Sequence, residues 1–190
     1  MSDYNSGWLK RGIENSMGKA HQFGVRGSGD MNQVAVARAT QADKQRIQQL
    51  IQFYIYDFTE YTSAAIQEDG TYRPMPDIDK YWDEPRRHHP YLITVNGEAA
   101  GFLLIRVRDE QRHYYDFAHL FVMRKFRRTG VGRIAAKCIF QQYGGEWELH
   151  QLENNVPAQR FWDKVIDEIS DGTVTVKMEN GRRYQRFACK

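Results

Sequence analysis

The sequence predicts an α/β (α+β) fold in which a mixed sheet of six to seven strands is flanked by about four helices. Three segments carry apolar residues at helical spacing, several short segments alternate apolar and polar residues, and two Asn-Gly pairs mark tight hairpin turns. In chain order the elements are strand, helix, loop, three strands, helix, strand, helix and two strands. Strands interleaved with helices in this way form a sheet with helices packed on its faces.

The composition limits the domain organisation and the classes of function. With 190 residues, 41% of them hydrophobic, the chain suits one domain with a full core. Residues 1–30 are polar and Gly-rich without periodicity, so we expect a flexible leader or appended segment there and a single domain over 31–190. The net charge of +3 does not indicate a nucleic-acid partner, and the two cysteines lack metal-ligand spacing. Because the chain has neither a bilayer-spanning apolar run nor a signal peptide, we expect a cytoplasmic protein with no membrane partner.

The first half of the predicted domain contains a strand, a helix and a long loop. Residues 34–39 form the strand, and Thr40 precedes the helix start. The helix carries one apolar stripe, formed by Ile47, Leu50, Ile51, Tyr54, Ile55 and Phe58. Proline and glycine residues break 60–90 into a loop with room for a short helix at 63–67. Loops of this length usually carry a function.

The second half of the predicted domain alternates strands and helices. Asn96-Gly97 joins strands at 91–95 and 98–107, and a third strand follows at 113–123. A helix from Val131 ends at Gly144-Gly145, and residues 147–151 form the next strand. The last helix starts at Asn154-Asn155 as N-cap, and a second hairpin pairs 173–178 with 182–188.

A basic, glycine-containing stretch between a predicted strand and a predicted helix is the candidate anion site. It reads Arg127-Arg128-Thr129-Gly130-Val131-Gly132. At such a junction the free backbone N–H groups and the helix dipole favour an anion, and glycines let the backbone approach phosphate oxygens. No Lys-Ser/Thr pair follows as in a Walker loop, and no third glycine completes a dinucleotide fingerprint. The stretch therefore predicts a diphosphate cradle of another kind.

These motifs together resemble the GNAT superfamily of N-acetyltransferases. Its signature Arg/Gln-x-x-Gly-x-Gly/Ala is matched by Arg127, Gly130 and Gly132. The segment 119–123 is similar to the family's fourth strand, and the segment 155–162 is similar to its Asn-x-x-Ala-x-x-(Leu/Phe)-Tyr motif. The resemblance covers roughly residues 33–189.

The resemblance implies transfer of an acetyl group from acetyl-CoA to a primary amine, with no metal. The sheet would be splayed, with the strands near residues 120 and 150 parting to admit the thioester. The implied cofactor-binding residues are Leu120, Phe121 and Val122 along the pantetheine arm, Arg127, Arg128, Thr129, Gly130, Val131, Gly132 and Arg133 around the pyrophosphate, and Asn155 near the thiol end.

An amine of pKa about 10.4 must lose a proton before it can attack, so a general base or a water relay is needed. Asp116 is the first candidate for two reasons. The resemblance matches its strand position with a glutamate of histone-type family members, and simple alternation places it on the face of Leu120 and Val122. His119 is the second candidate and His150 the third. The alternative for each is a structural strand residue.

The sequence departs from the family at Trp162, where many members have a tyrosine thought to protonate the departing thiolate. An indole N–H cannot act as that acid. Tyr143 or Tyr184 is a candidate substitute, and unassisted departure of the thiolate is the alternative.

The loop between the first helix and the hairpin suggests a cationic acceptor. It holds seven acidic residues against two basic ones, with aromatic residues nearby: Glu60, Glu68, Asp69, Asp77, Asp79, Asp83 and Glu84. We therefore expect a small-molecule or peptide amine, such as a cationic small molecule or a lysine side chain, and a homodimer is left open.

Two other functions compete with the enzymatic interpretation. One is a non-catalytic acyl-CoA-binding sensor, suggested by Trp162. The other is an RNA-binding module that uses the basic patch at residues 124–133. A metal site at His88-His89 is disfavoured, because adjacent residues point in different directions.

Overall fold

The computed structural model describes residues 21–26 and 31–189, with side chains from residue 33 onward. These residues form a mixed eight-stranded sheet in the order β1-β2-β3-β4-β5-β6-β8-β7. The strands are β1 (His21–Arg26), β2 (Met31–Arg38), β3 (His88–Val95), β4 (Glu98–Asp109), β5 (Tyr114–Val122), β6 (Glu146–Leu152), β7 (Ser170–Glu179) and β8 (Arg182–Cys189). The helices are α1 (Lys44–Phe58), α2 (Lys80–Asp83), α3 (Val131–Tyr143) and α4 (Val156–Ile169). No helix of the described residues is long and apolar enough to cross a membrane.

The predicted mixed sheet with four flanking helices is confirmed, and the differences are local. β1 lies within the segment expected to be a leader, and it pairs antiparallel with β2. Residues 1–20 and 27–30 lie outside the described residues, so the rest of that expectation stays a prediction. The helix predicted at 63–67 is wrong, because Gln67 N–H donates to Thr71 O at 2.8 Å and closes a tight turn there. A helix forms later, as α2.

The sheet is covered on both faces, because its central strands alternate side chains between two apolar clusters. One cluster lies against α3 and α4 and includes Leu103, Ile105 and Trp147. The other lies against α1 and α2 and includes Phe102 and Leu104. Burial of both faces is typical of strands at the centre of a three-layer fold.

The sheet opens between its two parallel strands. β5 and β6 pair through three residues, Tyr114 with Glu146, Tyr115 with Trp147 and Asp116 with Glu148. Beyond this point β5 has no pairing to β6, although it remains paired with β4 as far as Val122. The predicted splay is therefore confirmed, and it exposes one backbone edge of β5.

A β-bulge in β5 changes which side chains share a face. Leu104 of β4 pairs with His119, but Ile105 pairs with Phe117, so Ala118 is the extra residue. A bulge shifts the alternation by one position. Asp116 and His119 therefore face α1 and α2, whereas Leu120 faces α3 and α4. The prediction that Asp116 shares a face with Leu120 and Val122 is wrong for this reason.

Candidate functional site

A cleft of about 730 Å³ occupies the opening between β5 and β6. It runs from the start of α3, past the exposed edge of β5, to the start of α4 and the end of α1. Its lining includes most of the residues predicted to bind the cofactor, among them Leu120, Phe121, Val122, Arg127, Arg128, Gly130, Gly132, Arg133 and Asn155. Thr129 and Val131 belong to the same loop and helix start. The structure thus brings the predicted cofactor residues together around one opening.

The loop before α3 presents backbone N–H groups without a side-chain cap. Gly130 is the N-cap residue in a left-handed conformation, with φ of 88°, and it has no side chain to bond the first turn. Arg128 also has a positive φ, of 63°, and Thr129 Oγ1 donates to Phe126 O at 2.7 Å, which holds the turn. The first N–H groups of a helix have no partner within the helix, so these amides are available to an anion.

The two glycines of the loop carry different constraints. Gly130 adopts a φ that L-residues rarely adopt, so any side chain there strains the backbone. At Gly132 a Cβ atom would meet Val122 at 3.5 Å and Phe161 at 3.6 Å, which are ordinary contacts. The structure therefore requires glycine at the first position and tolerates alanine at the second.

Most basic side chains of the patch at 124–133 are already paired. Arg124 and Arg127 both contact Asp57 of α1, and Arg127 Nε also donates to Val122 O at 2.7 Å. Lys125 pairs with Glu98 at 2.6 Å, and Arg133 pairs with Glu168 at 2.7 Å. Arg128 has no carboxylate partner among the described residues and faces the cleft. Asp57 had no distinguishing signal in the sequence, because its partners lie some 70 residues away.

Asn155 is the N-cap of α4, within the predicted pair Asn154-Asn155. Its side-chain oxygen accepts a hydrogen bond from Ala158 N at 3.1 Å, and the residue is buried where α4 meets the cleft. This bond satisfies one free amide of the helix start. The oxygen is thus committed to the start of the helix, at the wall of the cleft.

Asp116 lies away from the cleft. It is 1% exposed, and its Oδ2 atom accepts from Arg106 at 2.9 Å and from Arg108 at 2.7 Å. It is absent from the residues that line the cleft, because the bulge turns it to the α1 and α2 face. A buried carboxylate held by two guanidinium groups acts as a structural anion.

His119 lines the cleft and also a second cavity of about 360 Å³ on the α1 and α2 face. Its Nδ1 atom lies 3.0 Å from the hydroxyl of Tyr54. Burial and, to a lesser degree, the charges of Arg106, His150 and Arg182 lower the pKa of His119 to about 3. The imidazole is therefore neutral at pH 7. Burial also raises the pKa of Tyr54, which stays protonated.

His150 lies on β6, and its side chain is on the same face of the sheet as that of His119. Its ring lies 5.2 Å from that of Tyr184, and burial followed by the charge of Arg182 lowers the pKa of His150. His119, His150 and Arg182 all line the cleft. Arg182 was missed by sequence reasoning, because it belongs to the last hairpin and reaches the site through the β6–β8 pairing.

The second cavity contains part of the acidic loop. Asp77 and Glu84 line it together with Tyr81, while Glu60 lines the main cleft. Asp79 pairs with Lys44 at 2.8 Å and lines neither the main cleft nor the second cavity. The cavity also holds basic side chains, namely Lys80, Arg87, Arg106 and Arg108. Its surroundings are therefore mixed in charge and not uniformly acidic.

Trp162 lines the cleft and is buried against Phe117, with ring centroids 4.8 Å apart. Tyr143 cannot replace the missing family tyrosine, because it is absent from the cleft lining and its hydroxyl is bonded to Tyr91 at 2.7 Å. Tyr184 lies beside His150 on the opposite face of the sheet from Trp162. No group of three His, Cys, Asp or Glu residues that could hold a metal occurs in the described part of the chain.

Residues 50–166 match the sequence profile of the Acetyltransferase (GNAT) family. No curated protein sequence matches the chain. Solved structures with the same fold include a putative GNAT acetyltransferase from Desulfovibrio desulfuricans (TM-score 0.57, 15% identity, covering 82% of this chain and 98% of that one). Another is the PaiA N-acetyltransferase from Thermoplasma acidophilum, in complex with coenzyme A (TM-score 0.56, 9% identity, 82% and 98%). A third is RimL, a ribosomal L7/L12 alpha-N-protein acetyltransferase in complex with coenzyme A (TM-score 0.58, 11% identity, 82% and 94%).

Proposed function

Because this chain belongs to the GNAT family of acetyltransferases, we propose that it transfers an acetyl group from acetyl-CoA to a primary amine. One observation carries the proposal: an uncapped helix start with free amides lies at one end of a cleft that follows an open β-strand edge. Two proteins of the same fold are known in complex with coenzyme A. Bound acetyl-CoA supplies an activated acyl group, and the protein supplies its orientation and the handling of the amine's proton.

The cofactor end of the cleft fits a diphosphate and an amide-containing arm. The amides of Arg128, Thr129, Gly130, Val131 and Gly132 would bind the pyrophosphate, and the free Arg128 side chain would add charge. The backbone of Leu120, Phe121 and Val122 would pair with the pantetheine arm along the exposed edge of β5. Arg127 would act indirectly, because its guanidinium holds Asp57 and the Val122 carbonyl in place.

The acceptor amine would approach from the second cavity, which meets the cleft at His119. A small-molecule amine or a lysine side chain would lie there against the face of Tyr81 and near Glu84, whereas Asp77 already pairs with Lys80 at 3.0 Å. Arg106 and Arg182 near His119 would lower the pKa of the bound amine. This matters because neutralising a free alkyl amine at pH 7 costs about 4 to 5 kcal/mol.

We propose that His119 accepts the proton of the amine. Asp116 is not chosen for this role, because it has no access to the cleft. If Nδ1–H donates to the Tyr54 oxygen, Nε2 is left unprotonated and free to accept a hydrogen bond from the amine. An imidazole of pKa about 3 does not retain a proton at pH 7, so His119 would orient the amine and pass the proton to water.

The pairing of Arg124, Lys125, Arg127 and Arg133 with carboxylates speaks against an RNA-binding patch, since those charges are largely neutralised. Calorimetry with acetyl-CoA and measurement of thiol release over a panel of amines test the function. We expect binding, together with thiol release that requires an amine. Tight binding without release on any amine would identify a sensor domain, and absence of binding would refute the proposal.

A further inference from the structure

Gln151 is a buried amide without a partner. The residue is 4% exposed, and within residues 33–189 neither its Oε1 nor its Nε2 atom has a hydrogen-bond partner. It nevertheless lines the main cleft. Buried polar groups are nearly always hydrogen-bonded, so an unpaired amide at the wall of a cleft indicates a bond made to a ligand.

The position of Gln151 places this amide on the cofactor's side of the opening. It lies three residues beyond Glu148, where the pairing of β6 with β5 ends, or about 10 Å into the gap. In the alternation of β6 it shares the α3 and α4 face with Trp147 and Leu149. The α3 loop, Trp162 and Gln151 are therefore on one side of the sheet, and His119 is on the other.

A neighbouring glutamine shows the contrast. Gln185 of β8 is 2% exposed, and its Nε2 donates to Asp163 at 3.0 Å. Gln185 does not line the cleft, and it pairs with Leu149 in the sheet. The two side chains have the same chemistry and nearly the same burial. Gln185 has a partner for its nitrogen and leaves only its Oε1 atom unpaired, whereas both amide atoms of Gln151 are unpaired at the wall of the cleft.

We propose that Gln151 Nε2–H donates a hydrogen bond to the sulfur of coenzyme A and stabilises the departing thiolate. This inference rests on the proposed function, and it accounts for how the reaction proceeds although Trp162 offers no acid. In the transfer, the amine nitrogen bonds to the acyl carbon and the carbon–sulfur bond breaks with its electron pair on sulfur. The amine's proton leaves by His119 and water. Gln151 transfers no proton; it lowers the basicity of the leaving sulfur.

The test titrates the thiol of enzyme-bound coenzyme A by the ultraviolet absorbance of its thiolate, in wild type, Gln151→Met and Gln185→Met. Methionine keeps the approximate volume of glutamine and removes the amide. We expect Gln151→Met to raise the pKa of the bound thiol by about one unit and to lower kcat by about 10-fold, as loss of a hydrogen bond to an anion predicts. We expect Gln185→Met to leave both unchanged.

Stability separates a functional role from a structural one. Gln151→Met removes an unpaired buried polar group, so its thermal midpoint should equal or exceed that of the wild type. Gln185→Met breaks the bond to Asp163 and should lower the midpoint. A bound-thiol pKa that is equal in wild type and Gln151→Met overturns the inference, even where acetyl-CoA binds and turns over normally. Failure of all three proteins to bind coenzyme A refutes the proposed function as well.

Discussion

The two ends of the cleft are built differently. The proposed cofactor end is made mainly of backbone: one loop, one helix start and one exposed strand edge, contributed by residues 120–132. The proposed acceptor end is made of side chains from distant elements, with Tyr54 from α1, His119 from β5 and Arg182 from β8. A site made of contiguous backbone leaves a motif in the sequence, whereas a site made of converging side chains does not.

The largest expected effect lies at the acceptor end. We expect His119→Ala to lower kcat by about 100-fold, because the amine loses the acceptor that orients it and relays its proton, while acetyl-CoA affinity stays near the wild-type value. Steady-state kinetics with calorimetry on the same protein measure both quantities. A kcat within twofold of the wild type would show that His119 does not take part in the proton transfer and that water is the acceptor.

The pH dependence of stability gives His119 an independent check. Its folded pKa of about 3 lies below the ordinary value of 6.5, so the unfolded chain binds the extra proton between these two values. This histidine therefore favours unfolding increasingly as pH falls from about 6.5 toward 3. Denaturation of His119→Ala should show a weaker loss of stability over that range than the wild type. An identical pH dependence would contradict the burial of the imidazole.

The next effect distinguishes Asp116 from His119. Asp116→Asn removes the negative charge that pairs with both Arg106 and Arg108, so we expect the free energy of unfolding to fall by about 2 to 3 kcal/mol. Because Asp116 does not reach the cleft, the shape of the pH–rate curve should stay the same. Urea denaturation and a pH–rate series test the two statements. A shifted curve with full stability would restore Asp116 as the base.

The sequence predicted the local geometry of the proposed cofactor end, because glycine spacing and helix starts are local properties, while the binding of acetyl-CoA there stays a prediction. The Gly130 motif, the Asn155 cap and the opening of the sheet were all predicted and agree with the structure. The acceptor end was predicted poorly for one physical reason: alternation along β5 assumes a regular strand, and the bulge at Ala118 breaks that assumption. The approach of Asp57 and Arg182 to the cleft depends on packing between distant segments, which periodicity does not encode.

The smallest expected effect sharpens the comparison at the cofactor end. Gly130→Ala forces a side chain into a φ of 88°, so we expect acetyl-CoA to bind about 10-fold more weakly as the loop distorts. Gly132→Ala is the matched control, since its Cβ atom would make ordinary contacts with Val122 and Phe161. Calorimetry on both variants measures the difference. No loss at either position would mean that the anion is held by side-chain charge, and the contrast between a backbone end and a side-chain end would then fail.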